Sequence, residues 1–207
     1  MLDAAVRKLI DPPLTAVGRR IAKIGVGADV VTLIGLALGL LAALLIALGQ
    51  PLWALVPLLT SRIADGLDGA VARATRKTDF GGYLDIACDF LFYGAVPLAF
   101  VFLDPAENGL AGAFLLAAFY VNGTSFLGYA ILAEKHGFET AAQGVKSLYF
   151  SNGLLEGTET ILFFVLLCLF SGAFAPLAWV FGALCFVTAA LRILAARTAF
   201  SSNEDHA

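Results

Sequence analysis

The stretch Asp65-Gly66-Leu67-Asp68-Gly69-Ala70-Val71-Ala72-Arg73, followed after a seven-residue spacer by Gly81-Gly82-Tyr83-Leu84-Asp85-Ile86-Ala87-Cys88-Asp89, sets four carboxylates and an arginine into segments that otherwise read as lipid-embedded helices. A charge in the bilayer interior is costly enough to mark a functional site, so something must compensate these acids. The surrounding chain fits that setting: of 207 residues 60% are hydrophobic and the mean hydropathy is +0.88, too apolar for a soluble domain and too long for a single anchor. The expectation is an all-α, polytopic integral membrane protein. The formal net charge of −3 discriminates little, and nothing in the sequence supports nucleic-acid binding. Cys88, Cys168 and Cys185 lie in apolar runs without CxxC spacing and read as small packing residues rather than a disulfide framework. The beginning of the chain lacks a short apolar stretch with a small-residue cleavage site, so Met1 is expected to begin the mature protein.

Working outward, residues 1–28 alternate apolar and basic faces at helical spacing, with Leu2, Val6, Leu9 and Ile10 on one stripe and Leu14, Val17, Ile21 and Ile24 on another. Arg7, Lys8, Arg19, Arg20 and Lys23 turn away from them, which predicts an amphipathic segment lying on a membrane surface. Pro12-Pro13 should break it into two pieces. Asp29 is placed to cap a first span reaching Gly49. Further spans are expected at about 51–74, 80–103, 109–133, 153–171 and 176–196, which makes a six-helix transmembrane domain over 29–198 with a flexible tail at 199–207. With the N-terminus in the cytoplasm, the outer turns at 49–51, 104–108 and 171–175 contain no Lys or Arg, and every basic residue except Arg62 falls in an inner segment. That distribution satisfies the positive-inside rule and puts both termini and the acids at the cytoplasmic face, expected to be that of a bacterial inner membrane.

Asp65 and Asp68 share one face of the second span, and Asp85 and Asp89 share one face of the third. Counting from cytoplasmic ends near Ala74 and Phe80, a rise of about 1.5 Å per residue puts Asp65 and Asp89 about 13 Å deep, and Asp68 and Asp85 about 8 to 9 Å deep. Two levels of facing acid pairs follow, and four carboxylates so close need cations between them. Oxygen-only ligation favours Mg²⁺ or Mn²⁺ over zinc. Such a centre suits phosphoryl or phosphodiester transfer. Gly66, Gly69 and Gly81 would let backbone or ligand approach closely, or else serve helix packing of the small-xxx-small kind.

This pattern closely resembles the signature of the CDP-alcohol phosphotransferase family, Asp-x-x-Asp-Gly-x-x-Ala-Arg, a spacer, then Gly-x-x-x-Asp-x-x-x-Asp. Here it reads Asp65, Asp68, Gly69, Ala72 and Arg73, then Gly81, Asp85 and Asp89. The spacer is one residue shorter than the family's usual eight, and Ala28-Asp29-Val30-Val31-Thr32 resembles the family's Pro-Asn-x-x-Thr without its proline. The resemblance implies a phosphatidyltransferase in which a CDP-linked lipid donates to a small alcohol and CMP is released. It implies that Asp65, Asp68 and Asp85 ligate two divalent cations, with Asp89 completing the site and acting as general base. Asp65, Gly69, Arg73 and Gly81 would line the nucleotide site, with Asp29 and Thr32 as further candidates. Homodimerisation is implied as well.

Outside the motif, Arg62 reads as a counter-ion to the acids or as a phosphate contact. Glu156 and Glu159 at the inner mouth of the fifth span read as helix-end acids or acceptor contacts, and Lys146 as a loop lysine or an acceptor phosphate contact. Asn122 and Ser125 are expected to make interhelical hydrogen bonds. The acceptor stays open among glycerol phosphate, inositol phosphate, serine and choline, with glycerol phosphate the first expectation. A rival from a different class is a cation channel or transporter using the same acids.

Overall fold

A computed structural model describes residues 3–136, 155 and 157–201. They form seven α-helices: α1 (Asp3–Lys23), α2 (Ala28–Ala47), α3 (Pro51–Ala74), α4 (Asp79–Leu103), α5 (Pro105–Lys135), α6 (Gly157–Leu169) and α7 (Phe174–Ser201), with a 3₁₀ turn at Ser171–Ala173 before α7. Among the described residues there is no strand.

Turn chemistry sets the helix ends. Gly25 (φ +84°) and Gly49 (φ +79°) take the left-handed conformations that reverse the chain on either side of α2. Pro51 and Pro105 open α3 and α5, where a missing N–H is harmless. Asp104 caps α5 by accepting from the Glu107 N–H at 3.0 Å, so the polar run 104–108, expected to be a turn, is largely the first turn of the helix. Thr78 caps α4 by accepting from the Gly81 N–H at 3.0 Å, which absorbs the short spacer in a tight linker of residues 75–78.

Two local expectations are corrected. Pro12 and Pro13 lie inside a continuous α1 rather than breaking it. Both are exposed, and the turns after them are pinned to α3, where Leu14 meets Gly66 and Gly18 meets Ala70. Asp29 is not a cap: Gly27 occupies that position with no side-chain bond, and Asp29 stands in the first turn of α2, where its charge still complements the helix dipole.

Four segments are long and apolar enough to cross a membrane: Ala28–Ala47, Asp79–Leu103, Pro105–Lys135 and Ser171–Phe200. Helix α3 has 24 residues but carries Arg62, Asp65, Asp68 and Arg73, while α6 has 13 described residues. Helix α7 continues to Ser201, into the expected tail.

The main core lies toward the α2–α3 and α4–α5 turns, where Ile46, Leu58, Phe92, Phe100, Leu115, Phe164 and Phe174 are fully buried. Phe163 and Phe181 stack at 4.0 Å between ring centroids, tying α6 to α7. A smaller cluster of Val31, Ala64 and Val71 lies toward the other end beneath α1.

Helix α2 packs extensively against both α3 and α4, whereas the backbones of α3 and α4 stay farther apart and are joined by side chains. Gly35 and Gly39 make that arrangement possible. A Cβ on Gly35 would lie 3.3 Å from that of Ala64, and one on Gly39 would lie 2.6 Å from the Phe92 ring and 3.1 Å from Ser61 Oγ. The Ser61 hydroxyl donates to the Gly35 carbonyl at 2.7 Å, locking the contact.

Gly39→Val should therefore lower stability by about 1–3 kcal/mol, as overpacking of a tight contact does. The check is the thermal midpoint of the detergent-solubilised protein, and an unchanged midpoint would contradict the tight three-helix junction.

Candidate active site

The acids occupy the ends of α3 and α4 that meet at the 75–78 linker. Spacings of three and four residues aim each helix's pair inward. One carboxylate oxygen each from Asp65, Asp68 and Asp85 can be chosen so that all three lie within 4.8 Å of one another. Asp68 is buried, and Asp65 and Asp85 are half-buried. Converging hard oxygen donors of this kind fit a divalent cation such as Mg²⁺ or Mn²⁺.

Asp89 takes a different partner. Arg62 Nη1 lies 2.8 Å from Asp89 Oδ1 and 3.5 Å from Asp65 Oδ1, spanning the gap between α3 and α4. Its guanidinium carbon stands 3.9 Å above the centre of the Phe92 ring, and Nη2 lies 3.0 Å from Ser61 Oγ. Arg62 thus bridges Asp65 and Asp89, while Asp65 also converges with Asp68 and Asp85. Four carboxylates against one guanidinium leave −4 + 1 = −3, a charge that calls for cations. Arg62 is a built-in counter-ion, the first of the two readings open from the sequence.

Helix α2 supplies the third wall. The Thr32 hydroxyl lies 2.7 Å from Asp68 Oδ2, a donor that fixes the carboxylate's orientation. It is also 3.1 Å from the Ala28 carbonyl. At the mouth, a Cβ on Gly81 would lie 2.9 Å from Thr78 Oγ1 and 3.1 Å from Asp29 Oδ1, whereas one on Gly82 would meet nothing within 4 Å. A side chain at Gly81 would therefore have to displace Thr78, the α4 cap, or Asp29. A Cβ on Gly69 would lie 3.3 Å from Arg73 Nη1, so the arginine folds back over a bare stretch of α3. Gly66 serves packing: a Cβ there would meet Leu14 at 2.8 Å.

The structure thus gathers Asp65, Asp68, Asp85, Asp89, Arg62 and Thr32 at one locus, with Asp29 and Gly81 together at its rim and Gly69 and Arg73 along α3. Glu159 stands half-buried in the first turn of α6. Lys146 and Glu156 lie outside the described residues.

A second polar locus centres on Arg192. Arg192, expected at an inner helix end, is 5% exposed and lies well inside α7. Its Nη1 is 2.9 Å from Asn122 Oδ1, 3.1 Å from the Asn122 carbonyl and 2.8 Å from Ser125 Oγ, which joins α7 to α5 and gives Asn122 and Ser125 the interhelical bonds expected of them. The available signal was the run Leu191-Arg192-Ile193-Leu194, a charge with apolar neighbours as at Arg62.

The sequence model of CDP-alcohol phosphatidyltransferases matches residues 26–194. The chain belongs to that family. It is accordingly a membrane transferase of phospholipid biosynthesis, and its resemblance at the acid motif extends to the whole helical domain. Similar proteins include Inner membrane protein YnjF of Escherichia coli, 50% identical and covering 93% of this chain and 94% of its own. A phosphatidylinositol phosphate synthase of Mycolicibacterium smegmatis is 41% identical over 46% of this chain and 42% of its own. Among solved structures, the Mycobacterium tuberculosis phosphatidylinositol phosphate synthase with CDP-DAG bound superposes with a TM-score of 0.66 at 21% identity, covering 89% of this chain and 94% of that one. The same enzyme with manganese and citrate gives 0.65, also at 21% identity, with 89% of each chain covered. At that identity the superposition speaks to the fold.

Thr32→Val should weaken divalent-cation binding about 10-fold or more, because an unsupported carboxylate loses its orientation. Mn²⁺ titration followed by electron paramagnetic resonance measures this, and wild-type affinity would remove Thr32 from the site.

Proposed function

We propose that this enzyme transfers the phosphatidyl group of a CDP-linked lipid such as CDP-diacylglycerol to the hydroxyl of a small alcohol, releasing CMP. The observation that carries the reading is the convergence of Asp65, Asp68 and Asp85 beside the Arg62–Asp89 pair in a chain of this family. Asp65, Asp68 and Asp85 would hold two divalent cations, Mg²⁺ or Mn²⁺, with Asp89 completing the set. When bound, the cations supply neutralisation of the pyrophosphate and of the charge developing on the leaving oxygen.

The chain's own residues do the rest. Thr32 and Arg62 orient the carboxylates. Arg62 engages Asp89 through Oδ1, which leaves the other oxygen to accept the acceptor's hydroxyl proton. The freed alkoxide oxygen bonds to the lipid-bearing phosphorus, the bond from that phosphorus to the bridging oxygen breaks, and CMP departs with the bridging oxygen. Asp65, Gly69, Arg73, Gly81, Asp29 and Thr32 would line the nucleotide's path, the bare glycines admitting it close to the backbone.

Helix α3 and a fifth span that includes α6 would complete six spans, with α1 on the cytoplasmic surface of a bacterial inner membrane and both termini inside. Residues 1–28 are then a surface segment, 29–198 the catalytic domain and 199–207 a tail. The inner-membrane name of the 50% identical relative supports the location. Membrane lipids surround the spans, and a homodimer is the assembly the family suggests.

For the acceptor, the partial relative named as a phosphatidylinositol phosphate synthase places inositol phosphate beside glycerol phosphate as the first to test. Lys146, Glu156, Glu159 and Arg62 are the candidate acceptor contacts, Arg62 with its guanidinium already engaged by the acids. The comparisons lend no support to the channel alternative.

The test is incubation of the protein in liposomes with labelled CDP-diacylglycerol, Mg²⁺ or Mn²⁺, and a panel of glycerol phosphate, inositol phosphate, serine and choline. Metal-dependent CMP release matched by one labelled lipid product is expected, abolished by chelation. Metal flux without that chemistry would overturn the reading. Asp89→Asn should retain donor binding while turnover falls about 100-fold or more. Normal turnover of that variant would sink the base assignment.

A further inference from the structure

We infer that Arg19 of the surface helix α1 and Arg73 of α3 form a phosphate-binding subsite beside the acid centre, one that works without metal. Helix α1 crosses α3 where Gly18 meets Ala70 and Leu14 meets Gly66. Alongside that crossing the two helices enclose an open cavity of about 180 Å³ lined by Thr15, Arg19, Ala70, Arg73 and Ala74. Thr15 and Arg19 are four residues apart and share one face of α1. Ala70, Arg73 and Ala74 share one face of α3.

Two guanidinium-bearing residues from different helices therefore line one cavity, and no carboxylate lies among its lining residues. Among the described residues neither arginine has an ion-pair partner. Like charges held this way repel one another until an anion joins them. A phosphate group fits best, because its tetrahedral oxygens can meet planar guanidinium forks from two directions at once, with the Thr15 hydroxyl as an added donor. The small side chains of Ala70 and Ala74 leave room for it.

The place of the cavity on α3 bounds its role. At about 100° per residue, Ala70 and Ala74 lie on a face turned away from Asp65 and Asp68, with Arg73 between that face and Asp65. Arg73 folds back over Gly69, next to Asp68, so an anion held here borders the catalytic cleft without sharing its cations. The phosphate belongs either to an anionic lipid headgroup at the membrane surface or to a nucleoside diphosphate entering the cleft, a source that rests on the proposed function, where Arg73 already lines the nucleotide's path, and to which α1 would add Arg19. Either source makes α1 part of the binding apparatus rather than an anchor alone.

The test has two arms, both on the full-length protein with EDTA present, so that binding through metal at the acids is removed. In the first, CDP is titrated into nanodiscs of phosphatidylcholine and binding is followed calorimetrically. In the second, retention of phosphatidylglycerol over phosphatidylcholine is read by native mass spectrometry. Arg19→Gln should weaken binding about tenfold in the arm that supplies the natural phosphate, the loss expected of one charge-assisted contact. Arg20→Gln, an exposed neighbour outside the cavity, should not. A response in the first arm identifies the nucleotide, and one in the second identifies the headgroup. Equal binding by wild type and Arg19→Gln in both arms overturns the proposal. The transferase assay scores the catalytic reading separately.

Discussion

Concentrated negative charge between α3 and α4 is the constraint on which the rest of this structure depends. Carboxylates in a low-dielectric layer are tolerable only with opposite charge close at hand. The fold supplies one guanidinium, held from three sides by Asp89, Asp65 and the face of Phe92. Asp65, Asp68 and Asp85 converge as a hard-oxygen site. Most other features near this end of the bundle then have a reason: the hydroxyl of Thr32 on Asp68, the bare backbone at Gly81, and the polar linker that lets α3 and α4 return beside one another.

Much of this was legible in the sequence because charge in an apolar run is a loud signal. The spacing of Asp65, Asp68, Asp85 and Asp89 gave the shared helix faces; the structure links Asp65 to Asp89 through Arg62 and also draws Asp65 together with Asp68 and Asp85, across the two expected levels. Resemblance to the CDP-alcohol family at the fixed motif positions was carried through by the match over residues 26–194. The structure also distinguishes Gly81 from its neighbour Gly82, because only a Cβ at Gly81 would meet neighbouring atoms.

What was not legible depended on packing partners far apart in sequence. Pro12-Pro13 reads locally as a helix break, yet α1 stays continuous with Leu14 and Gly18 seated on α3. Asp29 reads as a cap, yet the chain starts α2 one residue before it, at Ala28. Arg192 was assigned to a helix end by the usual placement of basic residues, and only the approach of α5 reveals why it can be buried. Propensity rules describe a segment alone, and these three residues are decided by a neighbour.

Because the backbones of α3 and α4 both pack on α2 and reach each other only through side chains, the separation of the acids is not set by the carboxylates and Arg62 alone. It depends also on how closely α2 lets both helices approach at Gly35 and Gly39, about two and three turns along from Asp29. Helix α2 acts as a shim: its calibre helps to set the bite of a ligand set to which it contributes no carboxylate of its own among Asp65, Asp68 and Asp85. A change in side-chain size at those glycines would retune which ion fits the gap, leaving every coordinating atom in the sequence untouched.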